Sequence, residues 1–442
     1  MELFRNLYLT KRFFASLAFV ATGFAASFGF PYLFPAAQVA LLVIVGAAIL
    51  EAFLLFRQTV ISAKRTLSGQ LSLGDDNLIK IEIENEGVFP LILTIVDELP
   101  YQLQIRNHRL NTTLEANQSK TLCYSIRPTR RGEYVFHDIN VFVHTIISMV
   151  ERRYNLPQEQ KVKVYPSIIQ MRKHELMVFS KTSIFQGIKK IRRLGNNNEF
   201  EQIKEYVQGD DYRSINWKAT SRKNELMVNQ YQDEKSQQVY SMIDKSRLMR
   251  MPFNKLTLLD YSINASLVIS NIVMRKGDKA GVLTFAEKPG YFLSAECSAG
   301  HLRKIIELLY NQKTHFLESD YQRMYNHVRN NVKGRSLLML YTNFETLSGM
   351  KRNLPVLRRL NQQHLLVVIL FENNAVEEMS KRHAISVREV YDKTISESFL
   401  LEKRLIAHEL RNLGIQCIIT SPDKLTVDSI NKYLELKSRG LI

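Results

Sequence analysis

The chain has three cysteines, Cys123, Cys297 and Cys417, in 442 residues, and no two of them form a C-x-x-C pair. That scarcity excludes a disulfide framework and a cysteine-built zinc site, and it fits a reducing compartment. Phosphate-binding glycine loops are lacking too. Neither G-x-G-x-x-G nor a Walker P-loop occurs, and "RKGDKAG" approximates neither, so nucleotide hydrolysis by this chain is not expected. The histidines are scattered: His174, His301, His364 and His408 fall in different segments, with no H-E-x-x-H pair. Ser180, Ser214 and Ser221 lack a G-x-S-x-G setting. No nucleophile constellation is found, and no catalytic residue is assigned.

Acidic charge is also in deficit. Lys and Arg number 60 against 43 Asp and Glu, a net charge of +17. Such an excess implies an anionic neighbour, either nucleic acid or an anionic membrane face. The densest basic run, "KKIRR" at Lys189–Arg193, has no interleaved aromatic platform. Lipid or solvent therefore suits it better than nucleic acid, which is not an expected partner.

What is present begins with two apolar runs. "FFASLAFVATGFAASFGFPYLF" (Phe13–Phe34) carries no charge, and "AAQVALLVIVGAAILEAFLLF" (Ala36–Phe56) carries only Glu51. Each has about the 20 residues that cross a bilayer. Pro31 and Pro35 with their neighbours form the turn of a transmembrane helical hairpin. A cleaved signal peptide is the weaker reading, because no small-residue cleavage site with a polar follow-on precedes the second run. Arg5, Lys11 and Arg12 precede the pair, while Arg57, Lys64 and Arg65 follow it. The positive-inside rule then places both ends, and the chain beyond Arg57, in the cytoplasm. Glu51 lies within two turns of Arg57, so it reaches the interface or pairs locally.

From Ser68 to about Pro166 the period is two. "LIKIEIENEG" alternates Ile79, Ile81 and Ile83 with charged residues, and "TLCYSIRP", "GEYVFHDINVFVH" and "KVKVYP" continue the pattern. Short strands at this spacing predict an antiparallel β-sandwich of the immunoglobulin-like kind. After Gln237 apolar strands ("QQVYSMID", "AGVLTFAE", "SLLMLYTNFE", "HLLVVILFE", "IQCIITS") alternate with amphipathic segments. One of these segments runs to Gly277, a helix stop. This grammar predicts a Rossmann-like α/β unit with a mostly parallel sheet covered on both faces. The expected divisions are a hairpin over 1–65, a sandwich over 66–166, a connecting segment over 167–236 and the α/β domain over 237–442. Ligands of such sheets sit at the carboxyl ends of the strands. The residues there are Asp244, Ser246 and Leu248 after the first strand, and Thr342, Asn343 and Glu345 after a later one.

Between sandwich and α/β domain lies the acidic and basic stretch "QGDDYRSINWKATSRKNEL". Asp210 and Asp211 have no His or Cys nearby in sequence, but Arg213, Lys218 and Arg222 are within reach. A carboxylate–guanidinium network is the expectation for them, and a core or interdomain anchor for Trp217. The longer stretch Phe200–Met249 closely resembles the signature of the domain-of-unknown-function family 58. The matching positions are Glu205, Tyr206, Gly209, Asp210, Arg213, Trp217, Lys218, Arg222, Asp244 and Ser246. The resemblance implies a membrane-anchored relative of the von Willebrand factor A fold in the bacterial inner membrane, associated with a MoxR-type AAA+ ATPase. The von Willebrand A metal site uses Asp-x-Ser-x-Ser, a Thr from a second loop and an Asp from a third. Here Leu248 replaces the second Ser and Asn343 the late Asp, and the second loop offers only Ser319 and Asp320. Those losses weaken Mg²⁺ binding, because the ion prefers charged oxygen in octahedral geometry. Two readings stand. Either Asp244, Ser246 and Asn343 form a degenerate Mg²⁺ site, or Asp244 and Ser246 cap the following helix.

The expected function is that of a membrane-anchored interaction protein, with the lipid bilayer and an AAA+ ATPase as partners. The alternative is a membrane-bound metal-dependent hydrolase using Asp210, Asp211 and Asp244.

Overall fold

A computed structural model describes residues 6–57, 59–106, 108–179, 199–208, 210, 212–232, 236–314, 316–384 and 386–442. "KKIRR" lies outside them, as do Gly209 and Asp211. The chain divides into two compact units, Met1–Tyr165 and Pro166–Ile442.

The first unit opens with strand β1 (Leu7–Leu9) and two helices, α1 (Lys11–Ala26) and α2 (Leu33–Arg57). Its other strands are β2 (Ile61–Thr66), β3 (Gln70–Ser72), β4 (Asn77–Asn85), β5 (Leu91–Asp97), β6 (Leu110–Leu114) and β7 (Gln118–Ile126). They are followed by β8 (Gly132–Phe136), β9 (Ile139–His144), β10 (Val150–Leu156) and β11 (Gln160–Tyr165). Three sheets result, in the orders β1-β10-β9-β5-β6, β2-β4-β7 and β3-β11-β8. The period-two reading of β4 is literal: Ile79, Ile81 and Ile83 are buried and the residues between them exposed. A buried pair ties two of the sheets, where the Arg65 guanidinium on β2 meets the Asp97 carboxylate on β5. Tyr124 on β7 donates to the same carboxylate.

The two helices differ from the sequence expectation. The stretch Phe13–Phe34 is not one helix. α1 stops at Ala26, and turns occupy the residues before α2 begins at Leu33. Pro35 falls in the first turn of α2, where its missing N–H costs nothing. α1, with 16 residues, rises about 24 Å and is short of a full crossing on its own. Among the described residues one helix, Leu33–Arg57, is long and apolar enough to cross a membrane.

Glu51 is not paired with Arg57. Its carboxylate is buried against the β9–β10 turn. Oε1 accepts from the Thr145 hydroxyl at 2.5 Å and the Ser148 N–H at 3.1 Å. Oε2 accepts from the N–H groups of Met149 at 2.9 Å and Val150 at 3.1 Å. One turn further along α2, Arg152 donates to the Leu55 carbonyl at 2.6 Å and lies over the Phe56 ring. The last turns of α2 are thereby docked on β10, which puts helix and sheet in one compact unit.

The second unit starts with α3 (Ile168–Phe179), then the hairpin of β12 (Glu199–Glu205) and β13 (Met227–Gln232), with α4 (Trp217–Lys223) between its strands. The main sheet uses β14 (Gln238–Asp244). A small ribbon of β15 (Pro252–Phe253) and β16 (Leu256–Thr257) leads into α5 (Leu258–Arg275). Next come β17 (Lys279–Phe285), β18 (Pro289–Glu296), α6 (His301–Tyr310), α7 (Tyr321–Asn331) and β19 (Leu337–Tyr341). The chain ends with α8 (Leu347–Gln363), β20 (Leu365–Phe371), α9 (Asn374–Lys381), α10 (Val387–Asn412), β21 (Gln416–Thr420) and α11 (Leu425–Ser438).

The six strands lie in the order β18-β17-β14-β19-β20-β21, parallel except for the antiparallel edge β18. Numbered along the chain, that order is 3-2-1-4-5-6 and reverses between β14 and β19. Helices cover both faces, so successive strand residues all meet core. Leu337, Met339 and Tyr341 pack with α5, α6 and α11, while Leu338 and Leu340 pack with α7, α8 and α10. α5 is set by a capping box, in which Thr257 accepts from the Asp260 N–H and the Asp260 carboxylate accepts from the Thr257 N–H. It ends at Arg275, two residues before Gly277, whose φ of 79° suits glycine.

Candidate functional site

β14 and β19 are the strands between which the order reverses, and in open α/β sheets the crevice at such a point is the ligand position. Asp244 ends β14 and Thr342 follows β19, which brings both residues to that crevice. The Asp244 carboxylate is 1% exposed. Oδ1 accepts from the Ser246 N–H at 2.8 Å and from the Ser319 hydroxyl at 2.5 Å. Oδ2 accepts from the Thr342 hydroxyl at 2.7 Å and the Tyr321 hydroxyl at 3.4 Å. The Tyr321 and Thr342 hydroxyls also lie 2.7 Å apart. Burial pushes the Asp244 carboxyl up, opposed by the hydrogen bonds from Ser319 and Thr342. Burial and the neighbouring Asp244 charge raise the Tyr321 phenol well above its usual range.

Ser319 is thus the hydroxyl the second loop supplies, although no Gly-Thr pair marks it. Ser246 sits at the N-cap position of the 3₁₀ turn Arg247–Arg250, but its side chain makes no cap hydrogen bond. It is Asp244 that braces the loop, through the Ser246 N–H, in the manner of an Asx turn.

Asn343 is buried beside this cluster, and its Oδ1 accepts from the Lys403 ammonium on α10. Burial lowers the Lys403 pKa to about 8, against the opposing charges of Glu345 and Glu372. The donor set can be tested against Mg²⁺. It comprises one carboxylate already holding four donors, neutral hydroxyls, and an amide oxygen committed to an ammonium. Mg²⁺ needs charged oxygens in octahedral array, and a neighbouring ammonium repels it, so these residues do not fit the ion. Among the described residues no group of three or more His, Cys, Asp or Glu side chains converges either.

Lys403 carried no motif, yet a signal was available. In α10 the buried positions Ser396, Ile406, Ala407 and Leu410 define a helical stripe, and Lys403 falls on it. A lysine on an apolar stripe asks for a partner, here Asn343. Next to these two residues an apolar cavity of about 250 Å³ opens at the strand ends, walled by Phe253, Phe371, Phe399 and Leu400.

The signature stretch lies elsewhere, on the β12–β13 hairpin. The Arg213 side chain and Asp211 of the expected network lie outside what the structure describes, and Asp210 is held by Lys204 and Val207. Oδ1 takes the Lys204 ammonium at 2.9 Å and Oδ2 the Val207 N–H at 3.0 Å, and these hold its carboxyl below the usual range. Lys218 and Arg222 are exposed. Trp217 is 70% exposed, so it is not a core anchor within this unit. The backbone of Arg213 lies in the short 3₁₀ turn Tyr212–Ser214.

The profile of the family described as Protein of unknown function DUF58 matches residues 202–397. The range runs from the hairpin through Asp244, Ser319 and Asn343 into α10. The uncharacterized protein YeaD of Bacillus subtilis (strain 168) is 21% identical over 235 residues, which cover 50% of this chain and 55% of that protein. The chain's match therefore spans about half of this relative. Among solved structures, the CARDB domain of the PF1109 protein from Pyrococcus furiosus, in complex with di-metal ions, aligns with a TM-score of 0.19 and 16% identity. That alignment covers 25% of this chain and 96% of the domain. The ASH/PapD-like domain of human CEP192 aligns with a TM-score of 0.17 and 12% identity, over 24% of this chain and 84% of that domain. Scores this low carry no inference about fold or function. Over residues 202–397, then, this chain is similar to the DUF58 family.

Proposed function

We propose that this chain is a membrane-anchored interaction protein. Its α/β unit is read as von Willebrand factor A-like, supported by the 3-2-1-4-5-6 strand order with an antiparallel edge and by Asp244 and Ser246 after the first strand. The β unit is read as an immunoglobulin-like sandwich and spacer. The anchor is α1 and α2 acting as a hairpin in the bacterial inner membrane, with both ends and both folded units on the cytoplasmic side. In its favour, α1 also exposes large apolar side chains such as Phe14 and Phe19, and Phe24 meets Phe34 edge-on across the hairpin.

The observation that carries the interaction reading is the strand-end face itself. Its acid is internally satisfied, its amide oxygen is held by an ammonium, and what it offers outward is an apolar cavity. Such a cavity takes an apolar side chain of a protein partner rather than a reacting phosphoester. The partner class implied by the resemblance is a MoxR-type AAA+ ATPase. Nothing favours the hydrolase reading: Asp210 is tied to Lys204, and Asp244 is buried under four donors.

The test is recovery of the full-length chain from native membranes with its partners identified, in parallel with Phe253→Asp and Phe399→Asp. Co-recovery of an AAA+ ATPase that both variants lose, while keeping their melting temperature, supports the proposal. No AAA+ protein under several detergent conditions, or one retained equally by both variants, overturns it.

A further inference from the structure

Both helices of the anchor leave the sheet at one place, the turn between β9 and β10. Thr10, the N-cap of α1, donates its hydroxyl to the Ser148 carbonyl at 2.5 Å, and its N–H goes to the Met149 carbonyl at 3.0 Å. Glu51 of α2 holds the other side of the same turn through Thr145, Ser148, Met149 and Val150. The turn therefore lies level with the start of α1 and with Glu51. From that level α1 offers 16 residues, and α2 offers the segment from Leu33 to Leu50. At about 1.5 Å per residue these legs are roughly 24 and 27 Å long, close to each other and just under a hydrocarbon core of about 30 Å.

At the same level the turn exposes two adjacent isoleucines, Ile146 at 72% and Ile147 at 50%. Lys11 and Arg12, beside it at the base of α1, are exposed as well. We propose that the turn Thr145–Met149 is itself a membrane-seated element, with Ile146 and Ile147 inserted at the headgroup–acyl boundary of the leaflet next to the folded units. This deepens the anchor reading and rests on it.

The occupant is lipid, because the turn is continuous with the lipid-facing surface of α2, where Ile49 and Leu50 are exposed immediately before Glu51. Two basic side chains at this height suit anionic headgroups, and apolar side chains at the boundary add to that attraction. A carboxylate at this depth is tolerable because its oxygens already hold four donors. The consequence is mechanical. The sheet that carries β1, β10 and β9 sits on the bilayer surface at a fixed height, gripped by both helices and by the turn.

The test uses single cysteines on a background with Cys123, Cys297 and Cys417 replaced by Ser, Ser and Ala. Spin labels go at Ile146→Cys and Ile147→Cys. Val43→Cys in α2 serves as a lipid reference and Lys80→Cys on β4 as a water reference. The full chain is reconstituted in phosphatidylethanolamine–phosphatidylglycerol vesicles, and accessibility to oxygen is compared with accessibility to a water-soluble nickel complex. The expected result is an oxygen-to-nickel ratio at both isoleucine positions well above that at Lys80→Cys and approaching that at Val43→Cys. A lipid-like signal at Val43→Cys with water-like signals at 146 and 147 overturns this inference alone. Low accessibility to both reagents at 146 and 147 also overturns it, pointing to a protein contact. A water-like signal at Val43→Cys overturns the anchor reading and this inference together.

Discussion

Glu51 and Asp244 are both carboxylates 1% exposed, and each receives four hydrogen bonds, yet the donors differ in kind. Those of Glu51 are three backbone N–H groups and one hydroxyl, all from the single turn Thr145–Val150. Backbone donors of a fixed turn cannot rotate away, so Glu51 fastens one piece of sheet to one helix. Those of Asp244 are three hydroxyls and one N–H, drawn from the loops at Ser246, Ser319–Tyr321 and Thr342. Asp244 thereby gathers separate strand-end loops into one face. The pair teaches that an isolated acid in an apolar segment is diagnosed by who donates to it, and that neither acid offers a free oxygen to an ion or substrate.

The comparison breaks most visibly at Glu51. Glu51→Ala leaves three N–H groups and a hydroxyl without their acceptor in a largely buried site, at about 1 kcal/mol or more each, so a loss of about 4 kcal/mol or more is expected. Thermal unfolding in detergent measures it, and proteolysis near Thr145–Met149 reports the released turn. Glu51→Gln keeps one acceptor oxygen but turns an NH₂ toward backbone donors, and roughly half that loss is expected. Equal stability of all three proteins would mean that the docking of α2 on β10 rests on Arg152 and apolar contact alone.

Why one acid was legible in sequence and the other was not follows from distance along the chain. Asp244 ends an apolar strand, and its local setting, strand then Asp-x-Ser, is visible within a few residues. Glu51 invited a local partner, Arg57, whereas its donors lie more than 90 residues away. Local signals elsewhere were reliable for the same reason. The Ile79–Ile81–Ile83 alternation marks a buried face, and Gly277 marks the end of α5, because both are set by the chain's own periodicity and backbone. Pro31 and Pro35 were a poorer guide. α1 stops at Ala26, earlier than hydrophobicity alone indicated, since nothing in an apolar run fixes where a helix ends. Partners such as Lys403 on Asn343 and Lys204 on Asp210 are chosen by the fold rather than by local pattern, although the apolar stripe around Lys403 held a hint.

Asp244 should yield the next largest effect. Asp244→Ala leaves the Ser246 N–H and the Ser319 hydroxyl without their acceptor, and Thr342 and Tyr321 with only their mutual bond, an expected loss of about 2–4 kcal/mol in chemical denaturation. Because the site does not fit Mg²⁺, the melting temperature of the unmodified protein is expected to be the same in EDTA and in millimolar Mg²⁺. The contrast sharpens if the missing charge is restored. Lys403→Met together with Asn343→Asp removes the ammonium and adds a carboxylate beside Thr342. Mg²⁺ is then expected to raise the melting temperature by a few degrees, on the order of 1 kcal/mol by mass action. A Mg²⁺ response already present in the unmodified protein would show that the hydroxyl cluster binds the ion without that help.

Asp210 supplies the partly exposed counterpart to both buried acids, and the smallest effect. Its carboxyl is held below the ordinary 3.8 first by the Lys204 ammonium and then by the Val207 N–H. A depressed folded value means the unfolded chain binds the proton more readily, so the stabilisation is fully present above 3.8 and is lost as pH falls through the folded value. Hydrogen exchange at the Val207 N–H is expected to quicken over that acid window, and Asp210→Asn to abolish the step. Because the pair is partly exposed, added salt should shrink the effect, whereas the bonds at Glu51 and Asp244 should be indifferent to salt. An acid step that survives in Asp210→Asn would assign the opening of the hairpin to some other carboxylate.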